Sequence, residues 1–276
     1  MSRHWFLTGA SSGIGRHLAE IILASGDDLT ATVRRPETLD DLAARYGDQL
    51  VVERLDVTVK GDIAPVVQRA EARRPVDVLV NNAGGGIIGA TEEFSDADIE
   101  GQISLNLLAP VHVTRAFIPA MRTRRAGRII QISSASGQGS LPTSSLYHAA
   151  KWGLEGFSEC LRQELEGFGV FVTLIEPGGA RTSFSRNLQY ALANPAYQDT
   201  PAGQIRAMFE NAGDELYTLD PQKIAHRIFD TATSEKPPLR VALGGDAFGV
   251  IQAALKGRLS ALEAQESLGR SVAFDS

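Results

Sequence analysis

One cysteine, Cys160, is the whole thiol complement of 276 residues. No intrachain disulfide can form, so a reducing, cytoplasmic setting is expected. The thiol lies in an apolar stretch, Phe157 to Leu161, which points to a buried and inert side chain. Long apolar runs are also missing, and nothing approaches the ~18 uncharged apolar residues of a membrane span. No secretory signal is expected, because His4, Trp5, Phe6 and Leu7 lead straight into Thr8-Gly9. Net charge is only -6, which gives no electrostatic reason to bind nucleic acid or an anionic membrane. His112 and His226 have no partners at ligand spacing, so no metal site is expected. No repeat, low-complexity tract or Pro/Gly-rich linker divides the chain, and one domain over residues 1–276 is the expectation.

What is present is alternation. Short apolar runs stand at Trp5–Leu7, Leu29–Val33, Leu50–Leu55, Val76–Val80, Arg128–Ile132, Val170–Ile175 and Leu239–Leu243. Most are rich in Val, Ile and Leu, as strands buried on both faces should be. Amphipathic helices separate them; the first carries Ile14, Leu18, Ile21 and Ile22 on one face. Strand–helix alternation implies βαβ units and a Rossmann-like α/β fold: a doubly wound parallel sheet of about seven strands with helices on both faces. Two segments read as additions, a lid over about residues 183–215 without a clear strand and a helical tail over about 246–276.

The first strand runs into Thr8-Gly9-Ala10-Ser11-Ser12-Gly13-Ile14-Gly15. Glycines in a strand-to-helix turn let backbone approach a pyrophosphate, and the helix N-terminus offers free N–H groups and a partial positive charge. The spacing is GxxxGxG, and its place between a first strand and an amphipathic helix is what points to a dinucleotide. At the end of the second strand an NAD site wants an acid for the ribose 2′-hydroxyl, and an NADP site wants an arginine for the 2′-phosphate. The sequence there is Val33-Arg34-Arg35, so NADP(H) is expected over NAD(H), with Ser11 as a second phosphate donor.

Tyr147 and Lys151 stand four apart in a helical pattern that reaches Gly167, one turn apart on one face. A phenol titrates near pH 10, too high for exchange at neutral pH, and a nearby cation would favour its phenolate. The strand Arg128–Ile132 delivers Ser133 and Ser134 to the edge where open α/β sheets bind ligands, and Val76–Val80 delivers Asn81-Asn82-Ala83-Gly84 to the same edge.

Together these motifs, with Asp56, Asn106, Pro177-Gly178 and Thr182 in order, make the chain resemble the short-chain dehydrogenase/reductase (SDR) family, its NADP-preferring members in particular. The resemblance implies an enzyme that interconverts an alcohol and a ketone or aldehyde. It implies Tyr147 as general acid or base, and Ser134, rather than Ser133, as the group that orients the substrate oxygen. Lys151 would hold the nicotinamide ribose and lower the tyrosine pKa, and Asn106 would support Lys151 in a proton relay. Gly9, Ser11, Ser12, Gly13, Ile14 and Gly15 would cradle the pyrophosphate, with Arg34 and Arg35 at the 2′-phosphate. Asp56 and Val57 would flank the adenine, and Asn82, Ala83 and Gly84 would border the adenosine and ribose. Pro177, Gly178 and Thr182 would lie along the nicotinamide. A homodimer or homotetramer is implied, and Ala116, Phe117, Ala120, Met121, Phe157, Leu161 and Leu165 are candidate contacts. Phe184, Leu188, Tyr190, Leu192, Tyr197, Met208 and Phe209 in the lid either line an apolar substrate pocket or only pack the lid down, since both uses need the same residue types. A non-catalytic NADP-binding sensor on the same scaffold is the alternative, and the intact Ser134, Tyr147, Lys151 and Asn106 argue against it.

Overall fold

The computed structural model describes residues 2–274. The first half runs β1 (His4–Thr8), α1 (Gly13–Ala24), β2 (Asp28–Val33), α2 (Asp40–Tyr46), β3 (Leu50–Arg54), α3 (Lys60–Arg73), β4 (Val78–Asn81) and a two-residue β5 (Ile87–Ile88). Next come α4 (Asp96–Ile103), α5 (Ala109–Arg124), β6 (Gly127–Ile132), α6 (Ser145–Glu166) and β7 (Val170–Pro177). The chain ends with α7 (Ser183–Arg186), β8 (Gln189–Tyr190), α8 (Pro201–Glu210), α9 (Pro221–Thr233), β9 (Arg240–Leu243), α10 (Gly245–Glu263) and α11 (Glu266–Arg270). Among the described residues, no helix is long and apolar enough to cross a membrane.

Each of the seven apolar runs forms a strand, and together they make one parallel sheet in the order β3-β2-β1-β4-β6-β7-β9. The chain works outward from β1 to β3, then crosses back to β4. The order therefore reverses between β1 and β4, where the carboxyl ends of the strands leave a crevice. Both faces of the sheet are covered, and β1 shows why its residues are nearly all apolar. Side chains alternate along a strand. Trp5 and Leu7 enter the core shared with α1 and α9, while Phe6 enters the opposite core with α3, α5 and α6. Phe6 meets Phe117 edge-on with ring centres 4.8 Å apart, and Trp5 stacks on Phe229 at 5.4 Å. Burying each such side chain stabilises the fold by about 1.5–3 kcal/mol.

The structure corrects three expectations. Cys160 is exposed, because the buried face of α6 is carried by Leu154, Ser158, Leu161 and Leu165, and position 160 falls outside that stripe. Of the candidate subunit contacts, Phe117, Met121, Leu161 and Leu165 are buried in this chain's own core and are unavailable to a partner. The lid contains a strand after all: β8 pairs in parallel with β5, Ile87 against Gln189 and Ile88 against Tyr190. A pairing two residues long leaves no periodic trace in a sequence. Between α4 and α5 the chain forms a wide π turn over Ser104–Leu108, centred on Asn106.

Candidate active site

A cavity of about 880 Å³ opens at the carboxyl edge of the sheet. It is lined by Gly9, Ser11, Ser12, Gly13, Ile14, Arg34, Asp56, Val57, Asn82, Ala83, Gly84, Ser134, Tyr147, Lys151, Pro177, Gly178 and Thr182. Those seventeen expected residues, drawn from the carboxyl ends of six strands and from α6, converge on one space. Gly15, Arg35 and Asn106 do not line it.

The β1–α1 turn is built from backbone. Gly9 and Gly13 have φ of 69° and 56°, the left-handed region that side chains disfavour. Gly15 is needed for a different reason: a Cβ there would fall on the Gly9 carbonyl and the Asn82 amide. Thr8 and Asn82 fasten the turn from beneath. The Thr8 Oγ1 accepts from Asn82 N–H at 3.0 Å and Ala83 N–H at 3.1 Å. The Asn82 side-chain amide donates to the Thr8 and Gly9 carbonyls, both at 3.0 Å. Asn82 thus borders the cavity while its amide serves the scaffold, and Thr8 is a structural partner that the glycine spacing does not reveal. The first turn of α1 carries no acidic side chain, so its N–H groups face the cavity without a competing charge.

At the far end, Val33 closes β2 and the exposed Arg34 stands at the cavity rim. Asp56 accepts from Thr58 N–H at 3.0 Å and from its hydroxyl at 2.7 Å. Those bonds, and more weakly the charge of Arg34, hold its carboxyl below the usual range. Arg35 is exposed outside the cavity lining, and its backbone carbonyl accepts from the Thr38 hydroxyl at 2.7 Å.

The opposite end is built from side chains. Lys151 is buried, its Nζ donates to the Ile132 carbonyl at 2.8 Å and lies 5.6 Å from the centre of the Tyr147 ring. Ser134 shares the cavity wall with Tyr147 and favours its phenolate, and the Ser134 Oγ accepts from Ser136 N–H at 3.1 Å. The neighbouring Ser133 donates to Glu155 at 2.5 Å, away from the phenol. This separates the two serines: Ser134 faces Tyr147 and Ser133 serves the core. Burial pushes the Tyr147 phenol up to about 12, with Ser134 opposing, and pushes the Lys151 ammonium down to about 8, with Glu155 opposing. The expectation that the lysine draws the phenol pKa down is not met here. Lys151 sits over the ring and on a carbonyl, and burial outweighs it. Asn106 sits in the π turn, donates to the Gly85 carbonyl at 2.9 Å and accepts from Gly85 N–H at 3.4 Å. It holds the Gly84–Gly85 wall of the cavity.

Three further features have no local sequence signal. Behind Ser133, Glu155 and Glu176 lie together in the core, with Arg240 at 2.9 Å from Glu155 and Gln138 at 2.6 Å from Glu176. Burial and the Glu155 charge raise the Glu176 carboxyl well above the ordinary range. His148 accepts from Leu141 N–H at 3.1 Å, so its other ring nitrogen donates to the Ser136 carbonyl at 2.8 Å, fixing the loop after β6. From the C-terminal segment, Asp246, Ala247 and Val250 line the same cavity.

Comparison with known proteins matches this arrangement. The family model for short chain dehydrogenase matches residues 3–192. Oxidoreductase BOA17 of Botryotinia fuckeliana is 35% identical over 250 residues, 90% of each chain. Retinol dehydrogenase 8 of Homo sapiens is 34% identical over 248 residues, 85% of this chain and 79% of the relative. A solved short-chain dehydrogenase from Streptomyces avermitilis superposes with a TM-score of 0.91 at 38% identity, covering 99% of this chain and 98% of that one. A glycine turn, a serine–tyrosine–lysine corner and a seven-stranded sheet in one order thus coincide with a match over most of the chain, and the chain belongs to the short-chain dehydrogenase family of oxidoreductases.

Proposed function

We propose that this chain is an NADP(H)-dependent oxidoreductase that interconverts an alcohol and a ketone or aldehyde, with Tyr147 transferring the proton. The observation that carries it is the Ser134–Tyr147–Lys151 corner sharing one cavity with the glycine turn. The residues fit a dinucleotide: two left-handed glycines and a helix N-terminus for the pyrophosphate, and an arginine at the rim where an acid would select NAD. A bound nicotinamide would supply or accept the hydride.

The chain's own groups do the rest. Ser134, on the cavity wall with Tyr147, orients the substrate oxygen through its hydroxyl. Tyr147 is neutral at physiological pH, because burial raises its pKa to about 12, and a neutral phenol is the donor form. Lys151 anchors the cofactor ribose, and Asn106 keeps the Gly84–Gly85 wall in place. Residues 183–215 act as a lid over one domain, with Phe184 at 5.8 Å from the Tyr147 ring and Leu188 and Phe209 on the cavity wall. Those groups, and the retinol named for a relative, support a bulky apolar substrate. We place the protein in the cytoplasm as a homodimer or homotetramer.

The test is a panel of ketones, aldehydes and alcohols followed at the nicotinamide absorbance band, with NADPH and NADH compared. Turnover of an apolar ketone with NADPH is the expected result, and no hydride transfer to any member with either cofactor would overturn the reading.

A further inference from the structure

The Pro177–Gly179 loop lines the cavity with little side-chain support of its own. Two consecutive glycines leave it with wide backbone freedom, which costs entropy to restrain. Three of its backbone groups are nevertheless engaged, each by the C-terminal part of the chain. Gly178 N–H donates to the Leu243 carbonyl at 3.0 Å, and the Gly179 carbonyl accepts from Leu219 N–H at 3.0 Å. Gly179 N–H donates to the Asp246 carboxylate at 2.7 Å. The packing around that carboxylate is specific. A Cβ on Gly178 would collide with it, and so would a Cβ on Gly244, which also has φ of 113°. Two glycines, 66 residues apart in sequence (178 and 244), thus leave room for one carboxylate.

The helix that carries Asp246 is itself braced on the other side of the site. Ala247 and Ile251 of α10 pack on Ala135, beside Ser134. Arg258 donates to the Gln138 carbonyl at 2.7 Å and lies 4.8 Å from the Trp152 ring centre, and Trp152 donates to the Gly139 carbonyl at 2.9 Å. One helix therefore touches both loops that flank Tyr147.

We propose that α10 is a brace of the active site, and that Asp246 is the positioning residue through which it holds the Pro177–Gly179 loop for the nicotinamide half of the cofactor. This rests on the cofactor reading given above. The carboxylate acts by its place and its acceptor oxygen. An amide in the same place keeps both, whereas a longer acid keeps the charge and loses the fit beside Gly178 and Gly244.

Three full-length variants test it: Asp246→Ala, Asp246→Asn and Asp246→Glu. Hydrogen exchange on the peptide spanning residues 175–182, measured without cofactor, should accelerate in the alanine and glutamate variants and match the parent in the asparagine variant. The Kd for NADPH, read by its fluorescence, should rise about tenfold in the alanine variant, the scale set by losing one hydrogen bond to a charged group. Asparagine should restore it to within about threefold, and glutamate should not. Binding of 2′,5′-ADP, which lacks the nicotinamide, should stay within about twofold in all three variants, a control against general damage. Unchanged exchange in both the alanine and glutamate variants would overturn the clasp. So would an asparagine variant that binds NADPH as poorly as alanine while its loop stays protected, since charge on the ligand would then be the cause. If the parent chain binds no nicotinamide cofactor, the cofactor reading fails alone, and the exchange result still decides whether Asp246 holds the loop.

Discussion

The two ends of the cavity solve opposite problems. At the β1–α1 turn the backbone makes the site, and side chains such as Thr8 and Asn82 only hold it in shape. At the α6 end the backbone is a platform, and three side chains from β6's exit and one helix make the site. The first end is constrained by space, since Gly15 has no room for a Cβ. The second is constrained by charge, since Tyr147 and Lys151 are both pushed away from their ionised forms by burial. A site made of backbone tolerates almost no change of volume. A site made of side chains tolerates changes of volume better than the loss of one hydroxyl.

The sharpest test of that contrast is Tyr147→Phe, which keeps the ring and removes only the oxygen. Turnover should fall by about 10²–10⁴-fold, the range general acid–base catalysis supplies, with the NADPH Kd unchanged. Near-normal turnover on the true substrate would break the comparison at its catalytic end. At the other end, Gly15→Ala adds one methyl group against the Gly9 carbonyl and the Asn82 amide. We expect a loss of about 1–3 kcal/mol in urea unfolding and a larger drop in cofactor affinity than in any substitution at Tyr147. A variant that binds NADPH like the parent would show that the turn has slack.

Arg34→Ala tests whether the rim distinguishes cofactors by charge. The side chain is exposed, so the effect should be modest, about 1 kcal/mol, seen as a several-fold rise in the NADP Michaelis constant with that for NAD nearly unchanged. Equal changes for both would remove Arg34 from the 2′-phosphate. The smallest effect is expected from Glu176→Gln, behind the catalytic end. The folded protein keeps a proton on this raised carboxyl that the unfolded chain releases. Its contribution to stability is therefore complete at acid pH and is lost as pH rises from the ordinary carboxylate range toward neutrality. The amide variant should match the parent near pH 4 and exceed it by about 1 kcal/mol near pH 8 in urea melts. Parallel curves across that window would show that the carboxyl is not raised.

The same contrast explains what could be seen in the sequence. Apolar runs and glycine spacing are local patterns, and they gave the seven sheet strands and the turn between β1 and α1 at nearly the right residues. Tyr147 and Lys151 were legible because helical spacing alone puts them on one face. Ser133 and Ser134 were told apart only through the family resemblance and not by local pattern, because which of them meets Glu155 depends on a residue 22 positions away. The Asp246 contact spans 67 positions and the β5–β8 pairing joins two residues to two, so neither leaves a local trace. Cys160 misled for the reverse reason: its neighbours are apolar, yet on α6 the direction a side chain faces follows its angle around the axis rather than the company it keeps in sequence.

The π turn at Ser104–Leu108 has a geometric consequence of its own. A regular helix turns by about 100° per residue, so one extra residue in a turn works as a swivel between the segments on either side. Upstream of it and at its centre, Gln102 and Asn106 present amides to the Gly85 carbonyl; downstream, Val113, Phe117 and Met121 present a dry face to the sheet. Deleting one residue there would restore an unbroken helix and rotate those two faces relative to each other by about 100°, so that either the cavity wall or the core would lose its partner.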